Sequence, residues 1–509
     1  MDHAPILPAH RVYLQRSLSE PAFAQDGTSL LFAASGDGKT SVERVLLATG
    51  LRETLCVEPS PCGGVGYGGG LFCLRGDRLV VATREGRLAC VELPGGRGVQ
   101  IGPAIDGVGA PVVSECGRWE VHVAEYGGEG FIALGSTDGR QWPVRLDGSL
   151  GFAGDPCLGP RGAWCAWQTW SGRVMPWDES ELRIARFARP LADCNALHEA
   201  LPVSVTAFAR PGVHLAFPMA HPDGCRLIFT SDESGWRAPW ELDLQAMRAR
   251  QIADTAGEVG SPNWVQRMTP MGIGQGGRRL YVVSRLDGLA RLMSIEVDTG
   301  TVRRIDSVLT SIQGFACLDG GVGGLDRIAC VGSSPCTPPV LVSREVGPSE
   351  AGPEIVRATT EPGPWDPAAL CAVEVITWRA RDETEVWGIW TRARGRAAAP
   401  AIVMVHGGPT SASELGYEAT AQYFATRGWH VLSVNHRGST QRGRAYQDML
   451  NGHWGVVDVE DARSGAEALI ERGATERGRI AILGGSAGGY TALRALTVDA
   501  DFWAAGVVS

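Results

Sequence analysis

Short alternating runs of apolar and polar residues fill the first two thirds of the chain. One example is the run Arg78-Leu-Val-Val-Ala-Thr83, which is followed by a polar turn and by Leu88-Ala-Cys-Val-Glu-Leu93. Each such unit predicts two strands joined by a hairpin turn, with a further strand before the next unit. The units recur about every 45 to 50 residues, a period that is typical of a β-propeller.

We count units centred near residues 35, 82, 125, 170, 228, 283 and 332. Seven blades is therefore the best count, with six and eight left open. A large β-sandwich is the alternative all-β architecture, but it would not explain why the turn signal repeats. The fold class predicted for this part is an all-β, seven-bladed propeller.

The pattern changes after residue 367. A hairpin pattern leads into a fully apolar strand, Ala401-Ile-Val-Met-Val405, and strands then alternate with helical patterns. Strands are predicted at 429–434, 480–483 and 502–508, and helices at 415–426, 458–472 and 489–496. Asp458 is predicted to be the N-cap of its helix. Alternating strands and helices predict an α/β domain with a mostly parallel sheet and with its chemistry at the carboxyl ends of the strands.

Prolines mark the boundary between the two patterns. They lie at positions 348, 353, 362, 364 and 367, in a stretch with few large apolar residues. We therefore predict an N-terminal arm over residues 1–19, a propeller over 20–345, a linker over 346–367 and an α/β domain over 368–509.

Charge and composition narrow the classes of function. The net charge is −9 with both signs interspersed, which does not favour nucleic-acid binding. The N-terminus lacks a signal-peptide pattern, and the longest uncharged apolar run, about 397–405, is too short to cross a bilayer. The 13 cysteines show no C-x-x-C pair and no metal-ligand spacing, so we interpret them as reduced core residues. The expectation is a cytoplasmic protein with no cofactor, metal or membrane partner, and homo-oligomer formation stays open.

The strongest chemical signal is Gly484-Gly-Ser-Ala-Gly488, between an apolar strand and a helical pattern. In that context G-x-S-x-G is typical of a nucleophile elbow, and it predicts Ser486 as the nucleophile. Glycine permits the tight turn that the elbow needs. The positive end of the following helix would lie next to the serine.

A serine nucleophile also needs donors for an oxyanion. The loop His406-Gly-Gly-Pro409 follows the strand that precedes the first crossover helix, where such hydrolases place one backbone N–H. We predict Gly408 and Ala487 as the two donors, with Gly407 as the competitor for the first. His406 lies on this loop, so we interpret it as a residue that shapes the loop and not as the general base.

Four motifs in this order carry a resemblance to a known family. They are His406-Gly-Gly-Pro409, Asn435-His-Arg-Gly-Ser-Thr440, Trp454-Gly455 with Asp458 and Asp461, and Gly484-Gly-Ser-Ala-Gly-Gly-Tyr490. Together they resemble the prolyl oligopeptidase family of serine peptidases, especially its acylaminoacyl-peptidase and dipeptidyl-peptidase-like branch. The segments around Trp177 and Trp264 are similar to the propeller of that branch.

The resemblance implies a seven-bladed propeller, an α/β-hydrolase domain, and an active site at their interface that admits short peptides. Arg437, Asp458 and Asp461 are interpreted as ion-pair and cap residues.

Two features depart from the family pattern. The family often has an aromatic residue in place of His436 and a glycine-tyrosine pair in place of Gln441-Arg442, which affects loop details and substrate fit. In α/β-hydrolases the triad runs Ser, Asp or Glu, then His, but no histidine follows Ser486 here. We therefore expect that the chain is a C-terminally truncated fragment whose triad Asp and His lie beyond residue 509.

Three functions stay open at this point. The first is a serine-type peptidase that hydrolyses short peptides as an oligopeptidase, aminopeptidase or acylaminoacyl-peptidase. The second is a carboxylesterase-like hydrolase on the same scaffold, and the third is a non-catalytic propeller binding protein. The P1 preference, the choice between endo- and exopeptidase and the physiological substrate are not determined by these patterns.

The purified 509-residue chain is expected to release p-nitroaniline from peptide p-nitroanilides no faster than its Ser486→Ala variant. The reason is that a serine hydroxyl without a base is a weak nucleophile. The half sheet is also expected to make the chain poorly soluble, because it leaves a strand edge exposed. Robust turnover that depends on Ser486 would contradict this expectation.

Overall fold

The computed structural model describes residues 6–13, 16–93, 98–148, 151–360 and 366–509. Within these ranges the chain forms a ring of antiparallel sheets followed by an α/β domain. A short helix, α1 (His10–Tyr13), precedes the ring. Two of the prolines predicted in the linker, at positions 362 and 364, lie outside the described residues.

The first four sheets of the ring are built from consecutive strands. Blade 1 contains β1 (Ser17–Phe23), β2 (Ser29–Gly36), β3 (Lys39–Leu46) and β4 (Arg52–Cys56). Blade 2 contains β5 (Phe72–Arg75), β6 (Arg78–Ala82), β7 (Leu88–Glu92) and β8 (Val99–Ile101). Blade 3 contains β9 (Gly107–Val113), β10 (Trp119–Tyr126), β11 (Glu129–Ser136) and β12 (Val144–Arg145). Blade 4 contains β13 (Phe152–Leu158), β14 (Trp164–Trp170), β15 (Glu181–Phe187) and β16 (Pro202–Ala209).

The last three sheets complete the ring. Blade 5 contains β17 (Leu215–Ala220), β18 (Arg226–Ser231), β19 (Ala238–Asp243) and β20 (Arg248–Gln251). Blade 6 contains β21 (Glu258–Val259), β22 (Met271–Gly274), β23 (Arg279–Leu286), β24 (Leu289–Glu296) and β25 (Val302–Ile305), and both β21 and β22 pair with β23. Blade 7 contains β26 (Ser311–Leu318), β27 (Asp326–Ser334), β28 (Thr337–Val346) and β29 (Ile355–Thr359). The seven predicted blades are confirmed.

Asp-Gly and Gly-Gly pairs build the tight hairpins of the blades. In the β2–β3 turn, Asp37 and Gly38 have φ values of 52° and 75°, and in the β23–β24 turn Asp287 and Gly288 have 49° and 78°. Two successive positive φ values are the requirement of a type I′ turn, whose twist matches that of the strands. The Asp-Gly turn signals that recur in the sequence therefore correspond to hairpin turns of the blades.

Side-chain packing closes the ring between its first and last blades. Leu30 and Phe32 of β2 are fully buried against Ala329 and Val331 of β27. No described strand is shared between these two sheets. Burial of a large apolar side chain contributes roughly 1.5–3 kcal/mol, so this apolar seam holds the circle together.

The α/β-hydrolase domain contains a six-stranded sheet in the order β30-β31-β33-β32-β34-β35. Its strands are β30 (Val373–Arg379), β31 (Glu385–Thr391), β32 (Ala401–Val405), β33 (His430–Asn435), β34 (Ile480–Gly484) and β35 (Ala505–Val508). The last four are parallel, and β30 and β31 form an antiparallel hairpin at one side. The helices are α2 (Ala419–Ala425), α3 (Gly443–Asp448), α4 (Val457–Glu471) and α5 (Ala487–Val498). Short 3₁₀ helices occupy Pro160–Gly162, Leu191–Asp193, Leu197–Ala200, Gln275–Gly277 and Pro367–Ala369.

The N-cap assignment of Asp458 is wrong. Helix α4 begins at Val457, one residue before Asp458, and Val456 is its cap residue. Asp458 is buried in the first turn, and its carboxylate accepts the N–H of Gly455 at 2.7 Å. An aspartate in a first helical turn and an N-cap aspartate give the same sequence pattern, because both favour the helix N-terminus.

The predicted linker, 346–367, overlaps the propeller. Strand β29 lies inside it and pairs with β28 as the fourth strand of blade 7. Prolines 348 and 353 lie in the connection between these two strands, so they mark a turn within a blade and not the domain boundary. Helix α2 is also shorter than predicted, because the residues before it contact the propeller: the N–H of Leu415 donates to the Gly288 carbonyl at 2.7 Å.

Buried charges join the two domains. Arg237 and Glu258, 3% and 1% exposed, form an ion pair at 3.0 Å at the domain-facing side of the propeller. The Glu258 carboxylate also accepts the N–H of Gly443, and the Arg237 guanidinium donates to Gln447. The two opposite charges of the pair therefore neutralise each other, and both side chains form hydrogen bonds to helix α3 of the hydrolase domain.

Glu258→Gln is expected to lower the free energy of unfolding by about 3–5 kcal/mol, because it leaves a buried guanidinium without its carboxylate. Asp306→Asn, which removes the exposed partner of Arg304, is the matched control and is expected to cost less than about 1 kcal/mol. Urea denaturation of the two variants and the parent gives the comparison. Equal stabilities of the two variants would contradict the importance of this pair.

Candidate active site

Ser486 lies in a strained turn between β34 and α5. Its φ and ψ are 52° and −122°, in a region that residues other than glycine rarely adopt. The N–H of Ser486 donates to the Ser509 carbonyl at 2.8 Å, and its own carbonyl accepts the N–H of Tyr490 at 3.1 Å. The serine side chain is exposed at the tip of this turn. The predicted strand, turn and helix are thus present around it.

Two glycines of the motif have no room for a side chain. A Cβ at Gly484 would lie 2.0 Å from the Gly488 carbonyl oxygen. A Cβ at Gly488 would lie 2.2 Å from the carbonyl oxygen of Val405, the last residue of β32. Backbone therefore packs directly on backbone at this point, which brings the elbow against the end of the neighbouring parallel strand.

The loop after β32 lies against the elbow. A Cβ built on Gly407 would be 3.4 Å from the Cβ of Ser486 and 3.9 Å from its Oγ. Gly408 has a φ of 121°, which side chains rarely permit. Ala487 is the first residue of α5, so its N–H has no partner within the helix. The loop and the helix start thus flank Ser486, and the assignment of Gly408 and Ala487 as oxyanion donors stays a prediction.

Both ring nitrogens of His406 are engaged away from Ser486. Nδ1 is 2.8 Å from the Gly407 carbonyl oxygen and Nε2 is 2.8 Å from the Oγ of Ser439. Because a carbonyl only accepts, Nδ1 carries the proton and Nε2 accepts from the serine hydroxyl. Burial, together with the nearby ring of His436, lowers the pKa of His406 to about 3. A neutral imidazole in this position supports its interpretation as a residue that shapes the loop.

The loop after β33 supports the loop after β32, which contains His406. The side chain of Asn435 accepts the N–H of Ser413 at 2.7 Å and donates to the Ser413 carbonyl at 3.0 Å. The N–H of Thr440 donates to the Ser411 carbonyl at 2.9 Å. Sequence reasoning missed these supporting roles, although both Asn435 and Thr440 belong to a motif that it had noted.

The ion-pair interpretation of Arg437 and Asp461 is confirmed. Asp461, fully buried on α4, accepts the guanidinium Nη2 of Arg437 at 2.7 Å and its backbone N–H at 2.6 Å. Asp382 and Glu460 contact the same guanidinium. These carboxylates hold the pKa of Arg437 above its ordinary value despite its burial. The pair anchors the β33 loop to α4 and has no contact with Ser486.

Asp458 connects the two helices behind the elbow. One carboxylate oxygen accepts the Gly455 N–H, and the other accepts the hydroxyl of Thr491, one turn after the start of α5. Thr491 is buried beside it. This contact fixes α5 on α4.

A cavity of about 480 Å³ lies between the two domains beside the His406 loop. Trp264 of the propeller lines it and donates its Nε1–H to the Thr410 carbonyl at 2.9 Å. The Trp177 ring packs on Trp264 with centroids 4.2 Å apart. Trp264 therefore lines the opening towards the second domain, whereas Trp164 and Trp167 are buried in the blades.

No group of three or more His, Cys, Asp or Glu side chains suited to a metal ion occurs among the described residues. In the same ranges, no helix is both long and apolar enough to span a membrane.

The comparisons with known proteins agree with this geometry. Residues 415–509, which contain the β33 loop, both buried aspartates and the elbow, match the model of the prolyl oligopeptidase family. This part of the chain is therefore similar to that family. Dipeptidyl aminopeptidase BIII of Pseudoxanthomonas mexicana is 40% identical over 111 residues, which is 22% of this chain and 16% of that protein.

Two further family members extend the comparison. Acylamino-acid-releasing enzyme 1 of Oryza sativa subsp. japonica is 31% identical over 102 residues, 20% of this chain and 13% of that enzyme. The matched segments thus span only about a sixth or less of these curated relatives. A crystal structure of puromycin hydrolase superposes with a TM-score of 0.84 at 27% identity, over 96% of this chain and 77% of that one. The propeller and the hydrolase domain therefore have the arrangement of that solved structure.

Gly488→Ala is expected to lower the free energy of unfolding by about 1–3 kcal/mol or more, because the new methyl group overlaps the Val405 carbonyl. Gly148→Ala is the control, since a Cβ there meets no atom within 4 Å, and it should change stability by less than about 1 kcal/mol. Thermal unfolding of both variants provides the measurement. A Gly488→Ala protein as stable as the control would contradict the backbone contact.

Proposed function

We propose that this protein is a serine peptidase that hydrolyses short peptides, with Ser486 as the nucleophile. The observation that carries the proposal is the strained conformation of Ser486 between β34 and α5, with the Gly407 backbone against it. A structural turn has no need of a serine at a φ of 52°. A nucleophile does, because the turn presents its Oγ at the tip.

The proposed reaction is an acyl transfer in two steps. Ser486 Oγ loses its proton to a base as it attacks the peptide carbonyl, and the carbonyl oxygen becomes an oxyanion. The C–N bond then breaks, the amine leaves with a proton, and a serine ester remains until water hydrolyses it. The N–H groups of Gly408 and Ala487 are proposed to donate to the oxyanion, and loss of one such donor typically costs about 3 kcal/mol of barrier.

The surroundings of Ser486 favour stabilisation of a negative charge. The first N–H groups of α5 point to the start of the helix, where its dipole is positive. Burial keeps His406 neutral, so it adds no competing charge, and its Nε2 is occupied by the hydroxyl of Ser439 and not by Ser486. Its two hydrogen bonds instead hold the loop that carries Gly408.

The substrate class follows from the relatives and from the cavity. The relatives carry the names of a dipeptidyl aminopeptidase, an acylamino-acid-releasing enzyme and a puromycin hydrolase. The interdomain cavity of about 480 Å³ is in the range that suits a small ligand or a few amino-acid residues. We therefore propose short peptides or aminoacyl derivatives as substrates.

Ser486→Ala introduced into the chromosomal gene tests this proposal on the protein as the cell makes it. A fluorophosphonate probe should label this protein, identified by its tryptic peptides, in the parent strain. The probe should not label the protein in the Ser486→Ala strain, because it reacts with an activated serine. The protein purified from the parent strain, in the form that the cell makes, should hydrolyse dipeptidyl, N-acetyl-aminoacyl or aminoacyl p-nitroanilides, and Ser486→Ala should lower its kcat/KM by at least about 1000-fold.

Ser349→Ala is the matched control, because this serine is exposed at the outer part of blade 7. It should retain both labelling and turnover at an equal protein level on an immunoblot. Labelling that persists in the Ser486→Ala strain, or no labelling in the parent, would contradict the proposal. Turnover of short-chain esters without turnover of peptides would instead indicate an esterase.

A further inference from the structure

The segment from Ser261 to Pro270 leaves blade 6 and reaches the opposite side of the ring. It connects β21 to β22, which are both strands of blade 6. The N–H of Gln266 donates to the Gly68 carbonyl at 2.9 Å, immediately before blade 2, and Gly69 and Gln266 form a parallel bridge. The guanidinium Nη2 of Arg267 donates to the Pro111 carbonyl of blade 3 at 2.6 Å. In a ring of seven, blades 2 and 3 are the two that face blade 6, so the segment crosses the axis.

Further hydrogen bonds fix the crossing segment on blade 4. The Asp155 N–H donates to the Gln266 side-chain oxygen at 2.9 Å, and the Asp155 carboxylate accepts the Arg267 N–H at 2.7 Å. Asp155 is only 6% exposed. A Cβ at Gly69 would lie 2.4 Å from the Gln266 carbonyl oxygen, so backbone packs on backbone here as well. The segment is therefore a braced part of the propeller.

Two separate cavities lie on either side of the crossing. The interdomain cavity has about 480 Å³, and a second cavity of about 440 Å³ opens at the far end of the propeller. The inner strand β26 lines both, with residues 311–313 in the first and 315–317 in the second. Along the crossing itself, Met268 lines the interdomain cavity and the next residue, Thr269, lines the far cavity.

We infer that residues 261–270 form a wall across the propeller channel, which closes the axial route and confines a peptide to the interdomain cavity. Trp264 and Met268 are the floor of that cavity on the propeller side. A peptide in that cavity can extend towards the propeller only as far as these two side chains. The part of this inference that concerns peptides rests on the proposed function, whereas the wall itself does not.

Two adjacent cysteine substitutions test the wall without any need for catalysis. Met268→Cys and Thr269→Cys are each combined with Ala220→Trp, which narrows the mouth of the far cavity. The rate of modification by a trimethylammonium-ethyl methanethiosulfonate is followed at each site by peptide mass spectrometry. Ala220→Trp is expected to slow modification of Thr269→Cys by about tenfold or more and to change that of Met268→Cys by less than about twofold.

Native Cys165 is the fold control, because it is 0% exposed and must stay unmodified in every variant used. Equal slowing at both sites would overturn the inference, since it would show a continuous channel. Ala316→Trp places a second bulky side chain in the lining of the far cavity. A rate at Thr269→Cys that neither Ala220→Trp nor Ala316→Trp changes would also overturn the inference, since Thr269 would then not face the far cavity.

The confinement of peptides has its own measurement. Ala220→Trp alone, introduced into the chromosomal gene, should leave kcat/KM of the protein purified from that strain within about twofold of the parent for peptide p-nitroanilides, because the substrate does not pass through the far cavity. A tenfold loss would contradict confinement. Absence of hydrolysis in parent and variant alike would contradict the proposed function, and the thiol rates would still decide whether the wall exists.

Discussion

The candidate site depends on one close contact between backbones. The elbow at Gly484 to Gly488 packs against the end of β32 so tightly that carbonyl oxygens occupy the places where side chains would begin. This contact sets the distance between the serine and the loop that follows β32, because both segments leave adjacent parallel strands at the same edge. Glycine is the only residue that allows it. The strained φ of Ser486 persists because its surroundings leave it no alternative.

Polar side chains hold the loops around that contact in place. Asn435 fixes the segment after the His406 loop, Arg437 anchors its own loop on Asp461, and Asp458 ties α5 to α4. Each of these groups is buried and hydrogen-bonded, and loss of a partner leaves a costly unsatisfied group. The site is therefore supported by a network that does not itself touch the serine.

The propeller contacts the hydrolase domain around the site through side chains on its domain-facing surface. Its buried Arg237–Glu258 pair holds α3, and Arg285 pairs with Glu414 after the His406 loop at 3.0 Å. Gln441, where the sequence departs from the family pattern, donates to Glu414 and accepts the Gly288 N–H. The departure at Gln441-Arg442 thus lies in the domain interface, so that it can change substrate fit while the elbow stays the same. Trp264 and Met268 line the interdomain cavity on the same surface.

The amino-acid sequence by itself determined what local rules control. Asp-Gly turns and alternating strands predicted the seven blades, apolar strands followed by glycine-rich loops predicted the α/β domain, and G-x-S-x-G between strand and helix predicted Ser486. It did not determine the role of Asp458 or the supporting role of Asn435, because each depends on a partner distant in sequence. It missed the fourth strand of blade 7, because prolines mark a turn within a blade and a domain boundary in the same way. The crossing of residues 261–270 could not be read from the sequence either. A proline-containing loop has the same pattern whether it stays on its own blade or bonds to the blades opposite, and only the closed ring brings those blades within reach.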